Sequence, residues 1–356
     1  MTGPGRLPGH ASPEGTARFA ERAGREDRTD PGHFRTFLDL TFSSLGMGTY
    51  LGRPDEPTDR RVTAAAVTSV SSGAVNVLDS AINYRNGRGE QAIGQALRSL
   101  LELGVVRRDE LFVATKNGYT ADRAALARLE DEGKIRGDEV ASECNCLSVP
   151  FLAEELPKSL ASLGVDTIDL LYLHNVTDEH LPLLGKEAFL ERLRSAFDFL
   201  ERCRSEGKIR YYGLATWDTL RLPANASGYL ALEEALTVAQ AAGGTDHGFR
   251  FVQFPFNMAM PEAALRKNQP VEEELRTLFD AARALGLGTF SSVPLLQGKL
   301  PPREALQFAR GAPGHLAPLV GHKDPQHVTQ NLEVARVPPL EPEEFEGLLH
   351  HLTQPD

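Results

Sequence analysis

The stretch NVLDSAINYRNGRGEQAIGQAL, residues 76–97, runs from a short apolar segment through an aspartate and a Gly- and Asn-rich turn into a second apolar pattern. Val75 to Ser80 has the length of a buried strand, whereas Gln91 to Leu103 repeats its apolar positions at helical spacing. The unit is therefore a strand ending near Asp79, a loop carrying Tyr84, and a helix. Working outward, the same unit recurs. Leu45 to Tyr50 predicts a strand and Thr58 to Gly73 a helix, with Thr58 as N-cap and Gly73 as stop. Leu111 to Thr115, Ile168 to Leu173, Ile209 to Thr216, Phe251 to Pro255, Leu287 to Val293 and Pro318 to Gly321 read as further strands. Phe151 to Leu163, Phe189 to Ser205, Tyr229 to Ala241, Val271 to Leu285 and Pro325 to Val334 read as the helices between and after them.

This alternation is the α/β pattern that builds a parallel sheet, either a closed (β/α)8 TIM barrel or an open doubly wound sheet. Periodicity does not separate the two. No G-x-G-x-x-G follows an early strand, which weakens the dinucleotide-binding open sheet and favours the barrel. Phe34 to Phe42 predicts a β-hairpin at the barrel floor. Residues 34–356 are expected to form this single domain, and residues 1–33, rich in Gly, Pro, Arg and Glu without sustained periodicity, a mobile extension. Two segments exceed ordinary loop length, Asn117 to Val149 and Asn175 to Gly185. The first contains a helical piece from Arg123 to Glu132, and both follow strands, where loops cover active sites.

The net charge of -11, with Lys and Arg scattered along the 356 residues, excludes the basic stripe of a nucleic-acid-binding protein. The opening residues hold no apolar signal segment, and no run is long enough to span a bilayer. Cytoplasmic residence without membrane contact is the expectation. The three cysteines, Cys144, Cys146 and Cys203, are expected as reduced thiols. The C-x-C of Cys144 and Cys146 has no partner pair at zinc-site spacing, so no metal is expected.

Four proton-bearing side chains stand at or just beyond successive strand ends: Asp79, Tyr84, Lys116 and His174. Each has an ordinary explanation alone, as a helix cap, a packing aromatic, a solvated amine or a core imidazole. At the C-terminal ends of barrel strands they would converge on the mouth, where barrel enzymes keep their chemistry. There Lys116 could favour the phenolate of Tyr84, Asp79 could serve as counter-ion to Lys116, and His174 could donate a hydrogen bond to a substrate carbonyl.

These residues, with LGMGTYLG (45–52), VATK (113–116), LGVDTIDLLYLH (163–174), GKIRYYGLATW (207–217), FVQFPFN (251–257), VPLLQGKL (293–300) and GHKDPQHVTQNL (321–332), resemble the aldo-keto reductase family over about residues 36–335. The resemblance implies hydride transfer between a nicotinamide and an aldehyde, ketone or sugar carbonyl, or the reverse alcohol oxidation, with Tyr84 as general acid or base. It places Gln253 and Thr216 at the nicotinamide carboxamide and Ser292 where many relatives carry a stacking aromatic. The pyrophosphate would follow Pro294, Leu295, Gly298 and Lys299. The adenosine end would meet Gly321, Lys323, Gln330 and Asn331, with His327 standing where the family's phosphate-binding Arg is usual. NADP(H) is expected ahead of NAD(H). The small-molecule substrate would meet Tyr50, Tyr119 and Trp217, with Phe256 as a further apolar wall, and a monomer is implied. With few residues after the last barrel helix, substrate selection is expected to fall to the loops after strands one, three and four. Two other readings remain: a non-catalytic cofactor sensor on the same fold, and a metal-dependent barrel hydrolase, for which no third ligand accompanies Asp79 and His174.

Overall fold

The computed structural model describes residues 5–142 and 144–353. The first four residues of the expected extension, Glu143 in the long insertion and the last three residues of the expected barrel domain lie outside it. Eight parallel strands close a barrel in chain order: Gly46–Gly48 (β1), Val77–Asp79 (β2), Phe112–Asn117 (β3), Ile168–His174 (β4), Ile209–Ala215 (β5), Phe249–Pro255 (β6), Gly288–Ser292 (β7) and Ala317–Gly321 (β8). Helices Glu56–Ser71 (α1), Arg88–Glu102 (α2), Val149–Leu163 (α3), Lys186–Ser205 (α4), Leu232–Gly243 (α5), Leu278–Ala284 (α6), Pro302–Gly311 (α7) and Pro325–Leu332 (α8) alternate with them. The chain is thus a (β/α)8 TIM barrel, and the open sheet is excluded.

The hairpin Phe34–Phe37 with Leu40–Ser43 pairs antiparallel below the barrel. Its Phe42 ring meets Phe112, Phe251 and Phe290 edge-on at centroid distances of 5.0, 6.2 and 5.9 Å. Leu40, Phe42, Val77, Phe112, Leu170, Phe251 and Phe290 form one buried cluster that fills the barrel's lower end. Because side chains alternate faces along a strand, the residues two and four positions further on stand above this plug: Asp79 above Val77, Lys116 above Phe112 and Ala114, His174 above Leu170 and Tyr172, and Gln253 above Phe251. Apolar residues low on these strands and polar ones higher up build an apolar floor beneath a polar mouth.

Several sequence expectations are corrected. Within residues 5–33, expected as an extension without sustained periodicity, Pro13–Arg25 is a helix capped by Ser12, with Thr16, Phe19 and Ala23 buried at spacings of three and four. Arg18 reaches Asp109 and Glu110 at 2.7 and 2.8 Å, and Arg22 reaches Glu110 at 2.8 Å. The apolar stripe is too narrow to show through the flanking Gly and Arg. In α1 the N-cap is Asp55, whose Oδ1 accepts the Thr58 amide at 2.9 Å, and not Thr58 itself. Val271 to Leu285 is not one helix: Gln269–Val271 and Glu274–Arg276 form a hairpin around the left-handed Glu272, and α6 starts only after the Thr277 cap. Asn175 to Gly185 holds a helix, Val176–Leu184, and α7 and Pro342–Thr353 are helices that the periodicity reading left unassigned. The helical piece in the long insertion is present as Arg123–Asp131. Among the described residues no helix is long and apolar enough to cross a membrane.

Candidate active site

Strand register brings the polar strand ends level. Gly48 pairs Asp79, Asp79 pairs Ala114, Lys116 pairs Tyr172, and His174 pairs Ala215 around the rim. The Lys116 side chain is 1% exposed. Its ammonium donates to the Asp79 carboxylate and to the Ser80 carbonyl, the latter at 2.8 Å, and lies 4.8 Å from the centre of the Tyr84 ring. Burial works against this ammonium, but the Asp79 carboxylate and Tyr84 hydroxyl outweigh it and hold its pKa above the ordinary value. Removing either partner would leave a buried uncompensated charge.

Tyr84 reaches the mouth on a turn built from the left-handed Arg85, Asn86 and Gly87. Gly89 lets the first turn of α2 close on that turn, since a Cβ there would come within 3.0 Å of the Tyr84 Cβ and 2.9 Å of the Ser80 hydroxyl. The Tyr84 ring meets His174 edge-on at 5.6 Å and Tyr50 at 5.1 Å. As expected, the Lys116 ammonium favours the Tyr84 phenolate, but burial outweighs it and the net shift of the Tyr84 pKa is upward. His174 is driven well below the ordinary histidine range, first by burial and then by the charge of Lys116, so its imidazole is neutral. Its Nδ1 is buried without a hydrogen-bond partner among the described residues.

Gln253 donates to the second Asp79 oxygen at 3.1 Å, tying β6 to the ion pair. Beside them the Tyr172 hydroxyl is buried and meets no hydrogen-bond geometry among the described residues. Tyr172 escaped sequence reasoning although it stands two residues before His174 on the same face, a signal that strand alternation could have supplied. Thr216 is buried, its amide donating to the Gln253 carbonyl at 2.8 Å. Ser292 and Leu295 are half-buried, Pro294 is buried, and Gly298 and Lys299 are exposed. Their loop holds Val293, Leu296, Gln297 and Gly298 at positive φ. After β8, Gly321 and Lys323 are half-buried and His327 and Gln330 are exposed on α8. Asn331 is buried, its amide 3.4 Å from His322 Nδ1.

Of the expected substrate contacts, Tyr50 and Trp217 are open to solvent, 58% and 42% exposed, at the ends of β1 and β5 on opposite sides of the ring. Tyr119 packs its ring on His174 at 5.0 Å, and its hydroxyl donates to Glu179 at 2.7 Å. Phe256 is not a pocket wall: it is fully buried among Phe279 and Phe308, outside the barrel mouth. Among the described residues no three His, Cys, Asp or Glu side chains are disposed to hold a metal ion, and Cys146 is buried with its Sγ 3.2 Å from the Ser148 hydroxyl.

The model of the aldo/keto reductase family matches residues 44–305. The chain is 29% identical over 188 residues to an NADH-specific methylglyoxal reductase from Escherichia coli, a match covering 51% of this chain and 50% of that protein. It is 27% identical over 179 residues to the uncharacterized oxidoreductase YqkF from Bacillus subtilis, covering 50% and 46%. The matches thus span about half the length of these curated relatives. In fold it is similar to aldo-keto reductase AKR11C1 from Bacillus halodurans, with a TM-score of 0.59 at 21% identity over 90% of this chain and 96% of that one. An aldo/keto reductase from Klebsiella pneumoniae in complex with NADP and acetate is similar with a TM-score of 0.59 at 19% identity, over 91% and 96%.

Proposed function

Since this chain belongs to the aldo/keto reductase family, we propose that it reduces the carbonyl of an aldehyde, ketone or sugar, or oxidises the corresponding alcohol, with Tyr84 giving or taking the proton. The observation that carries this reading is the enclosed Lys116–Asp79 ion pair lying against the ring of Tyr84, with a neutral His174 edge-on to the same ring. A nicotinamide cofactor, when bound, supplies or accepts the hydride.

The residues fit such a cofactor. The buried Tyr172 hydroxyl beside Gln253, which meets no hydrogen-bond geometry among the described residues, and the Thr216 hydroxyl, 3.5 Å from the Gln253 carbonyl, offer polar atoms for a carboxamide. The loop from Val293 to Gly298 holds a β-branched residue at φ 49°, an unfavourable conformation of the kind retained at ligand-binding turns. Together with Lys299 this loop would take the pyrophosphate. Gly321, Lys323, His327, Gln330 and Asn331 would take the adenosine end. NADP(H) is placed ahead of NAD(H), supported by Lys323 as the cation that would meet a 2'-phosphate and by the NADP bound to the Klebsiella protein, while His327, standing where the family's phosphate-binding Arg is usual, weakens that preference. Titration of both reduced cofactors checks this, and tighter binding of NADH, as the name of the Escherichia coli relative would suggest, reverses it.

Each residue then has a task. Tyr84, kept as the neutral phenol by burial, holds the proton that passes to the carbonyl oxygen in reduction. The Lys116 ammonium stabilises the phenolate left behind, and Asp79 keeps that ammonium charged in the dry mouth. His174, neutral, donates a hydrogen bond that orients the carbonyl and stabilises charge developing on its oxygen. In the oxidative direction the Tyr84 phenolate accepts the alcohol proton. The buried thiols of Cys146 and Cys203 fit a reducing compartment and support a cytoplasmic location.

The test is Tyr84→Phe, assayed with NADPH and a panel of aldehydes. Turnover should fall by about 10³, in the range of general acid catalysis, while cofactor binding followed by fluorescence quenching stays near that of the parent. A Tyr84→Phe protein turning over like its parent rejects the assignment. A parent that binds cofactor but reduces nothing favours the sensor reading.

A further inference from the structure

The helix Val176–Leu184, directly after catalytic-strand β4, carries three consecutive polar residues, of which His180 and Glu179 reach the insertion after β3 and Asp178 the loop after β5. His180 Nε2 lies 2.9 Å from the Asn145 amide oxygen, and the Asn145 amide donates to the His174 carbonyl at 3.0 Å. Glu179 accepts from Tyr119 and from Ser142, both on the insertion after β3. Asp178 reaches the opposite way, to the loop after β5. Its Oδ2 accepts the Trp217 amide at 2.9 Å, and its Oδ1 accepts the Asp218 and Thr219 amides at 2.7 and 2.9 Å.

Three successive backbone N–H groups gathered on one carboxylate form charge-assisted bonds, which are short and strong compared with neutral ones. The far side of the same peptide is held as well. Arg221 is 5% exposed, and its Nε and a terminal nitrogen donate to the Trp217 carbonyl at 3.2 and 3.0 Å. That guanidinium is itself paired with Asp218 at 2.9 Å and with Glu262 at 2.6 Å. Trp217 is therefore gripped through both its N–H and its C=O, while its indole stands 42% exposed. Surface loops are usually more mobile than the elements they connect. Here the backbone beneath the indole has little freedom left.

We propose that Asp178 is a positioning residue that, with Arg221, makes Trp217 a rigid wall selecting substrates with an apolar, ring-sized group next to the reacting carbonyl. The clamp supplies preorganisation: the wall is ordered before the substrate arrives, so binding does not have to order it. The substrate part of this inference rests on the reductase reading of the site, but the clamp does not.

Trp217 is the single tryptophan of the chain, so its fluorescence reports this loop alone. Time-resolved anisotropy of the parent protein without substrate should decay with the tumbling of the whole barrel. A dominant fast local decay in the parent overturns the clamp, whatever the variants do. Asp178→Asn turns an amide donor toward N–H groups and should introduce that fast component, with acrylamide quenching raised about twofold or more on the exposure that loop motion allows. An unchanged decay and quenching constant in Asp178→Asn also overturn it. For selectivity, kcat/KM is measured for benzaldehyde and for acetaldehyde. The ratio of the two should fall about tenfold in Asp178→Asn, a factor matching the loss of one aromatic contact, through KM more than kcat. Trp217→Leu, which keeps the clamp and removes the ring, should lower the ratio alike. A ratio unmoved in both variants rejects Trp217 as the selecting wall. Absence of turnover in the parent with both aldehydes counts against the reductase reading, and the anisotropy still judges the clamp.

Discussion

Glu90, on the first turn of α2, is fully buried, with one carboxyl oxygen accepting from Thr115 at 2.6 Å and no charged partner among the described residues. Burial pushes its pKa up to about 7 from an ordinary 4.5. The folded chain then keeps a proton that the unfolded chain releases between those values, so this group's contribution to stability falls as pH climbs through that window. Glu90→Gln, which does not titrate, should match the parent near pH 4.5 and exceed it at pH 8 by up to about 3 kcal/mol. Urea melts across pH give the answer, and parallel curves for the two proteins would count against it. The same physics distinguishes residues that look alike on paper. Lys116 and Glu90 are both buried, yet only Lys116 has an opposite charge at contact distance; its pKa is held up in the charged form, whereas burial pushes Glu90 toward its neutral form.

At the level of elements, the helix Pro13–Arg25 and the helix Val176–Leu184 do different work. The first closes the outside of the barrel through Phe19, which is 1% exposed and meets Phe34 edge-on at 6.2 Å. Phe19→Ala should cost about 3 to 5 kcal/mol of stability, as for other buried Phe truncations, read as a lowered urea midpoint. A loss of only a few tenths of a kcal/mol, the surface value, would mean that this helix is dispensable. The second is held between the insertion after β3 and the loop after β5 by Asp178, Glu179 and His180. Its sequence, VTDEHLPLL with a proline inside, does not announce a helix, and its first turn is acidic as a helix N-terminus favours. What it contributes to selectivity depends on the loops it ties, which the anisotropy of Trp217 measures.

For the whole molecule, the barrel divides into an apolar floor and a polar mouth, and the two should be separable by mutation. Phe42→Ala opens a cavity among Phe112, Phe251 and Phe290 and should destabilise by about 3 to 5 kcal/mol, while kcat/KM at a temperature well below the melt stays within about threefold, since sites without shared partners act additively. A collapse of kcat/KM without loss of stability would show that floor and mouth are coupled. By itself the sequence determined the strand and helix alternation, the place of the hairpin, and the four strand-end residues, because period-two and helical patterns and the positions of Asp79, Lys116 and His174 are local properties of the chain. It did not show the N-terminal helix, the split of residues 271–285, the burial of Phe256, the upward shift of the Tyr84 pKa, or the Asp178 clamp. Each of these depends on which distant groups meet in the closed barrel: Phe19 on Phe34, Phe256 on Phe308, Tyr84 on the low-dielectric rim, and Asp178 on three amides some forty positions further along. Such contacts leave no periodic trace, because the free energy that selects them comes from desolvation and hydrogen bonding between segments that only tertiary folding brings together.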